Sequence, residues 1–188
     1  MRIISGNFKG KKILLPKDEL TRPLKDLTKE SIFNLIRHSK LLQIQIQDAN
    51  VLDLFSGVGS FGLECLSRDA SSVIFLENYK SVLSILKKNI HNLKAEKNTE
   101  VIEKNIFDKN TLQLLNKKFE IIFMDPPYKE KKVSDLLYMI HELKLLQDNG
   151  IIIIHRHKKE QDAFPNIFNI ILEKNYGISK IIFGNILD

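Results

Sequence analysis

Residues 125–128, Asp125-Pro126-Pro127-Tyr128, put a carboxylate, carbonyls without local donors and an aromatic face within one short stretch. Neither proline has an N–H and both have φ fixed, so the backbone cannot fold back to satisfy the carbonyls of Asp125 and Pro126. Such a cluster of acceptors beside a flat ring suits a planar base that carries an amino donor. An extended strand-to-helix connection is the plainer alternative. Ile121-Ile122-Phe123-Met124 just before it reads as a buried strand, so the acceptors fall at a strand's carboxyl end, where open α/β sheets hold ligands.

A glycine-bearing turn supplies a second group. Val51-Leu52-Asp53-Leu54-Phe55 reads as a strand, and Ser56-Gly57-Val58-Gly59-Ser60-Phe61-Gly62 turns it into a helix with G-x-G-x-x-G spacing. Glu77, at the end of the next strand, sits where an acid holds ribose hydroxyls. Nicotinamide dinucleotide and S-adenosylmethionine domains share all of this, and Asp53 separates them. A pyrophosphate over the turn would be repelled by a poorly solvated carboxylate. S-adenosylmethionine brings an ammonium and a sulfonium, which Asp53 attracts; a strand acid paired to a distant lysine is the alternative. The expected cofactor lining is Asp53, Phe55, Ser56, Gly57, Gly59, Glu77, Asn78, Asn105, Ile106 and Asp125. Asn105 is placed to meet an adenine edge, with Ile106 or Phe107 against the ring. A cap for a helix starting near Asp108 is the competing reading.

The elements that must position these groups alternate strand and helix from about Ala49, which predicts a parallel sheet with crossover helices. Strands are expected at 51–55, 72–77, 99–103, 120–124, 150–155, 167–174 and 179–184, and helices at 60–68, 79–92, 108–116 and 132–146. Asn175-Tyr176-Gly177 is too short for a crossover, so the last two strands form an antiparallel hairpin. Before this domain, residues 2–5 and 11–15 read as a small hairpin around Gly6 and Gly10, which must lie on the main domain or on a ligand. Its Arg2, Lys9, Lys11 and Lys12, with Phe8, suit an RNA-gripping arm; a solvated ribbon is the alternative. From Lys25 to Ser39 the spacing of Leu27, Ile32, Phe33, Leu35 and Ile36 is helical, with Thr28, Lys29 and Glu30 on the wet side. Residues 40–50 read as a linker, giving an extension at 1–48 and a catalytic domain at 49–188.

The 188 residues suffice for one well-buried domain with a small appendage, and the net charge of +6 is compatible with a polyanionic partner. The single cysteine, Cys65, excludes an internal disulfide and reads as a core thiol, as expected in a reducing cytoplasm. No segment has the apolar run needed to span a bilayer. In His155-Arg156-His157-Lys158-Lys159 the histidines alternate like strand residues and lack a third ligand, so no metal site is expected; the group reads as a phosphate-contacting patch or a solvated basic loop.

With Asp53, the glycine turn, Glu77 and Asp125-Pro126-Pro127-Tyr128 together, the chain resembles the RsmD family of bacterial 16S rRNA guanine-N2 methyltransferases. Met1-Arg2-Ile3-Ile4-Ser5-Gly6, Thr21-Arg22-Pro23, Asp26, Glu30, Phe33-Asn34 and Tyr176-Gly177 extend the likeness over nearly the whole length. The resemblance implies a Rossmann-like class I methyltransferase fold of seven strands with an amino-terminal hairpin. It also implies S-adenosylmethionine as methyl donor and a guanine of 16S rRNA as acceptor, in an assembled or assembling small subunit, with a monomer expected. Asp125, Pro126, Pro127 and Tyr128 would form the catalytic clamp. Arg2, Lys9, Lys11, Thr21, Arg22, Pro23, His155 and Arg156 would contact RNA. The sequence departs from the family at Asn105, where Asp is usual, and at Leu24-Lys25, where small hydroxyl residues are more frequent. The rival readings are an N6-adenine or N4-cytosine DNA methyltransferase and a non-catalytic RNA-binding protein of the same fold.

Overall fold

A computed structural model describes residues 1–16 and 24–187. Thr21, Arg22 and Pro23 lie outside the described residues. The order is α1 (Asp26–His38), β1 (Asn50–Leu54), α2 (Ser60–Ser67), β2 (Ser72–Leu76), α3 (Lys80–Leu93), β3 (Thr99–Ile102), α4 (Lys109–Gln113), β4 (Phe119–Met124), α5 (Val133–Glu142), β5 (Leu146–His157), β6 (Phe168–Tyr176) and β7 (Ser179–Ile186). The strands form one seven-stranded sheet in the order β3-β2-β1-β4-β5-β7-β6, parallel except that β7 runs antiparallel to β5 and β6. This is the α/β architecture expected, terminal hairpin included. β5 begins at Leu146, four residues before the expected start, and α4 is shorter than the segment assigned to it.

Strand period divides the core into two layers. Val51, Val73, Phe75, Ile121, Phe123, Ile151 and Ile153 face α1, α2 and α3. Their alternates, Leu52, Leu54, Ile74, Leu76, Ile122, Met124, Ile152 and Ile154, face α4 and α5. Asp53 belongs to the first set, which turns its carboxylate toward α2 rather than toward solvent. α2 is buried along its whole length. Its close approach to the sheet depends on Gly62, where a Cβ would lie 2.4 Å from the Phe75 ring and 2.7 Å from Val73 Cγ1. Phe61 stacks between Phe33 of α1 and Phe123 of β4, with centroids 5.2 and 4.0 Å away, so the amino-terminal helix is packed through α2 onto the strand that ends in Asp125.

The amino-terminal residues differ from expectation in two respects. The arm has a single antiparallel bridge, Arg2 to Lys12, instead of two paired strands. Besides backbone bonds within the arm, such as Ile3 N–H to the Lys11 carbonyl, side chains of the domain hold its backbone. Glu64 accepts from the Ile4 and Ser5 N–H groups at 2.8 and 3.0 Å, Ser67 Oγ from Phe8 N–H, and Asn89 Oδ1 from Leu14 N–H. Lys29, assigned to the wet side of α1, is fully buried, and so is Thr28, whereas Leu27 is 72% exposed. The helix is rotated because the Lys29 ammonium sits 3.3 Å from the buried carboxylate of Glu64 and donates to the Arg2 carbonyl at 2.8 Å. A partner 35 positions away leaves no local trace in the apolar spacing. Within 40–48, Leu42 is buried and Ile44 and Ile46 pack on the same core. The extension and the sheet therefore share one apolar cluster.

Candidate active site

β1 and β4 are neighbours with Leu54 opposite Met124, so the turn after β1 and the loop after β4 open side by side at the carboxyl edge of the sheet. Between them lies a cavity of about 540 Å³. Its walls include Phe55, Ser56, Gly57, Glu77, Asn78, Asn105 and Ile106 on one side and Asp125, Pro126, Pro127 and Tyr128 on the other. The fold brings these residues to one cavity; Gly59 is not on its wall. Among the described lining residues the charged ones are Glu77, Asp125 and Glu130, all acidic. Such a wall attracts a cationic ligand and repels a pyrophosphate.

The glycine turn is held by its own acids. Gly59 enters α2 with φ +82°, a conformation that disfavours a side chain. Ser56 Oγ donates to the Asp53 carbonyl at 2.5 Å. Glu77 Oε2 accepts from Gly57 N–H at 2.8 Å, and its Oε1 from the N–H groups of Asn78 and Tyr79. Asp53 does not line the cavity; it lies beneath the turn, 1% exposed, accepting from Gly62 N–H at 3.0 Å. Burial pushes its carboxyl well above the usual carboxylate range against the pull of that hydrogen bond, and the charges of Asp125 and Glu77 push it the same way. Phe55, with φ +60°, carries the backbone in a left-handed conformation that sequence spacing did not signal; its ring meets Phe107 at 5.8 Å. Asn105 does not cap α4, because Asp108 accepts from Asn110 N–H in that role. Its Oδ1 accepts from Phe107 N–H at 3.1 Å, which leaves its amide NH₂ as the donor on the cavity wall.

Beyond Tyr128 the structure corrects the reading of 155–159. Arg156 is 1% exposed and is not a phosphate-contacting cation. Its guanidinium is paired with Asp162, with Nη2 at 2.9 Å from Oδ1, and donates to the carbonyls of Pro127, Tyr128 and Glu130 at 3.2, 3.4 and 2.9 Å. A planar fork can hold three carbonyls and a carboxylate at once, so Arg156 fastens the acceptor loop from behind. His155 is likewise buried, between Asp125 and Ser179. Lys158 and Lys159 remain exposed, as do Lys129, Lys131 and Lys132 on the loop itself. Arg156→Lys is expected to lower stability by about 1–3 kcal/mol, because a single ammonium leaves buried carbonyls unpaired. Limited trypsin digestion should then cut faster after Lys129, Lys131 and Lys132, and an unchanged cleavage rate would count against the clasp.

Not every expected nucleic-acid contact converges on the cavity. Arg2, Lys9 and Lys11 are exposed, but Asn7 is bonded to Ser67 and Asp69 at the carboxyl end of α2, away from the glycine turn. Among its described residues the arm approaches the turn at Leu14, where Asn89 bridges the Leu14 and Val58 carbonyls. Residues missed in the sequence are Leu24, Val58, Tyr79, Val82 and Glu130 on the wall, and Ser179 and Asp162 behind it. Glu130 carried a signal, its position two residues past the acceptor cluster. Cys65 is fully buried, with its thiol pushed up by burial, and the described residues contain no cluster of metal-ligating side chains. No helix among them is long and apolar enough to cross a membrane.

Known proteins resemble this chain in sequence and in fold. The chain is 33% identical over 179 residues to ribosomal RNA small subunit methyltransferase D of Haemophilus influenzae, covering 95% of this chain and 90% of that one. It is 32% identical over 170 residues to the Escherichia coli protein of the same name, covering 89% and 79%. The solved structure of yhhF from Escherichia coli superposes with a TM-score of 0.79 at 28% identity, covering 98% of this chain and 96% of that one. The family model described as conserved hypothetical protein 95 matches residues 1–185, and with these relatives it establishes that the chain belongs to the RsmD family and has the class I methyltransferase fold.

Proposed function

We propose that the protein transfers a methyl group from S-adenosylmethionine to the exocyclic N2 amine of a guanine in small-subunit ribosomal RNA. The observation that carries this reading is a cavity whose charged lining residues, among those described, are all acidic, next to a loop of fixed acceptors. The family relatives named for ribosomal RNA support the class of substrate. A cationic methyl donor fits the residues present: Glu77 and Asp125 are acids on the wall, Asp53 is a third acid buried beneath the glycine turn, Glu77 suits ribose hydroxyls, and Asn105 and Ile106 suit an adenine ring. When bound, S-adenosylmethionine supplies an electrophilic sulfonium methyl.

The rest is work for the chain. A guanine amine is a weak nucleophile because its lone pair is delocalised into the ring. Asp125 and the Pro126 carbonyl, which accepts nothing among the described residues, would hold its two N–H groups and favour a pyramidal nitrogen. The lone pair then forms the N–C bond as the methyl–sulfur bond breaks onto sulfur, and the nitrogen releases one proton to the Asp125 carboxylate. Tyr128 stacks on the base, contributing about 1–3 kcal/mol. The base must leave its stack or already lie in an exposed loop. In this reading the protein works in the cytoplasm as a monomer, and Arg2, Lys9, Lys11, Thr21, Arg22 and Pro23 hold RNA beyond the target nucleotide.

Labelled S-adenosylmethionine offered with naked rRNA, small subunits and DNA tests the proposal. N2-methylguanosine in digested small-subunit RNA is expected; N6-methyladenine or N4-methylcytosine in DNA would overturn it. A second expectation follows from Asp53. Burial raises its carboxyl in the free protein, and a bound cation favours the ionised form, so ligand binding releases a proton wherever the free carboxyl is still protonated. Affinity for S-adenosylmethionine therefore rises with pH from the usual carboxylate range up to the raised value. Calorimetry across that range should give a flat profile for Asp53→Asn; an equal slope in both proteins would remove Asp53 from the site.

A further inference from the structure

Behind the acceptor loop lies a chain of polar side chains that the scheme above does not use. Asp125 follows β4, His155 stands in β5 and Ser179 opens β7, three strands side by side. His155 Nδ1 is 2.8 Å from Asp125 Oδ1, and its Nε2 is 2.9 Å from Ser179 Oγ. The imidazole ends the buried run Ile151-Ile152-Ile153-Ile154, where an aliphatic side chain would need neither bond. An ionised carboxylate only accepts, so Nδ1 carries a proton toward Asp125, and in the neutral ring Nε2 then accepts from the Ser179 hydroxyl.

This arrangement fixes how Asp125 meets its ligand. A free carboxylate turns about a broad, two-fold torsion. Here Oδ1 is occupied by His155, whereas Oδ2 accepts nothing among the described residues and the side chain keeps 20% of its surface open at the cavity. The Tyr128 ring stands edge-on to His155 with centroids 6.5 Å apart, so the same imidazole borders the base-stacking face.

We propose that His155 is a positioning residue for methyl transfer: by holding Asp125 Oδ1 it aims Oδ2 at the target amine. The inference rests on the functional reading above and goes beyond it, since a hydrogen bond from behind, rather than the acceptor loop alone, sets the orientation of the catalytic carboxylate. The effect belongs to the chemical step and not to binding of either substrate.

Two substitutions separate this from packing. An asparagine amide nitrogen falls near the place of Nδ1 and keeps the bond to Asp125; a glutamine amide nitrogen falls near Nε2 and keeps only the bond to Ser179. With labelled S-adenosylmethionine and small subunits from cells lacking the enzyme, His155→Gln is expected to lower kcat by roughly 10–100-fold with both KM values within about twofold of wild type. His155→Asn should retain kcat within about threefold. Wild-type kcat in His155→Gln, a loss carried by KM, or equal losses in the two variants would each overturn the proposal. If wild type itself labels no RNA, the functional reading fails, and the imidazole can still be read directly. Nitrogen-15 spectra, assigned by the signal missing from His155→Asn, should report the Nδ1–H tautomer; an Nε2–H tautomer would refute the inference.

Discussion

Asp125→Ala is expected to reduce methyl transfer at least about 100-fold while leaving S-adenosylmethionine affinity within a few-fold of wild type. The carboxylate is the side-chain acceptor in the clamp, and its other partners, Leu54 through the backbone and His155 through Oδ1, hold it in place without replacing it. Removing it leaves the Pro126 carbonyl as a single acceptor for an amine with two N–H groups, so the nitrogen is neither oriented nor relieved of its proton. The cofactor retains Glu77 and the glycine turn, which are anchored independently through Gly57, Asn78 and Tyr79. Single-turnover transfer and calorimetry read the two effects separately. Retained turnover would remove Asp125 from the chemistry, and a parallel collapse of cofactor affinity would reassign it to ligand binding.

Glu64→Gln should destabilise the protein by about 3–5 kcal/mol, a large share of the 5–15 kcal/mol typical of a domain. Glu64 is fully buried and receives the Lys29 ammonium, the Arg68 guanidinium and the N–H groups of Ile4 and Ser5. A neutral amide leaves Lys29 charged and enclosed between α1 and α2. Lys29→Met in the same background should recover most of the loss, because the buried cation is what costs. The pH dependence has a definite sign. Burial holds the Lys29 ammonium below its usual range, against the pull of Glu64. The unfolded chain then binds more protons than the folded one in the alkaline range, so stability rises with pH there, and more steeply in Glu64→Gln. Urea titrations at neutral and alkaline pH check both points; a Glu64→Gln protein as stable as wild type would show that the network is dispensable.

The same network joins the amino-terminal arm to the active site mechanically. Glu64 fixes the arm, Lys29 fixes α1, and Phe33, Phe61 and Phe123 stack from α1 to the strand that ends in Asp125. The arm, α1, α2 and β4 are therefore linked by one continuous set of contacts. Lys9 and Lys11, at the far end of α2 from the cavity, are held by a structure continuous with the one that sets the catalytic carboxylate.

Residues 51–54, 72–76, 119–124 and 151–154 announce themselves as strands because their apolar side chains are buried on both faces of a parallel sheet, and a continuous run is what that burial requires. The glycine turn and the acceptor loop are legible for a related reason: backbone geometry at Gly59, Gly62, Pro126 and Pro127 restricts which residue types fit, and restriction shows in sequence. With them come the family, the fold and most of the cavity wall. What the sequence alone could not determine is the partner of each polar side chain. Lys29 looks solvated until Glu64 is brought against it, Arg156 looks like a phosphate contact until three loop carbonyls and Asp162 enclose it, and His155 looks like half of a basic patch until β4 and β7 supply Asp125 and Ser179. Charged side chains read as exposed by default, since an unpaired buried charge is costly. Only the tertiary structure, by bringing Glu64 against Lys29 and Asp125 and Ser179 against His155, decides which of them are enclosed and thereby made part of the site.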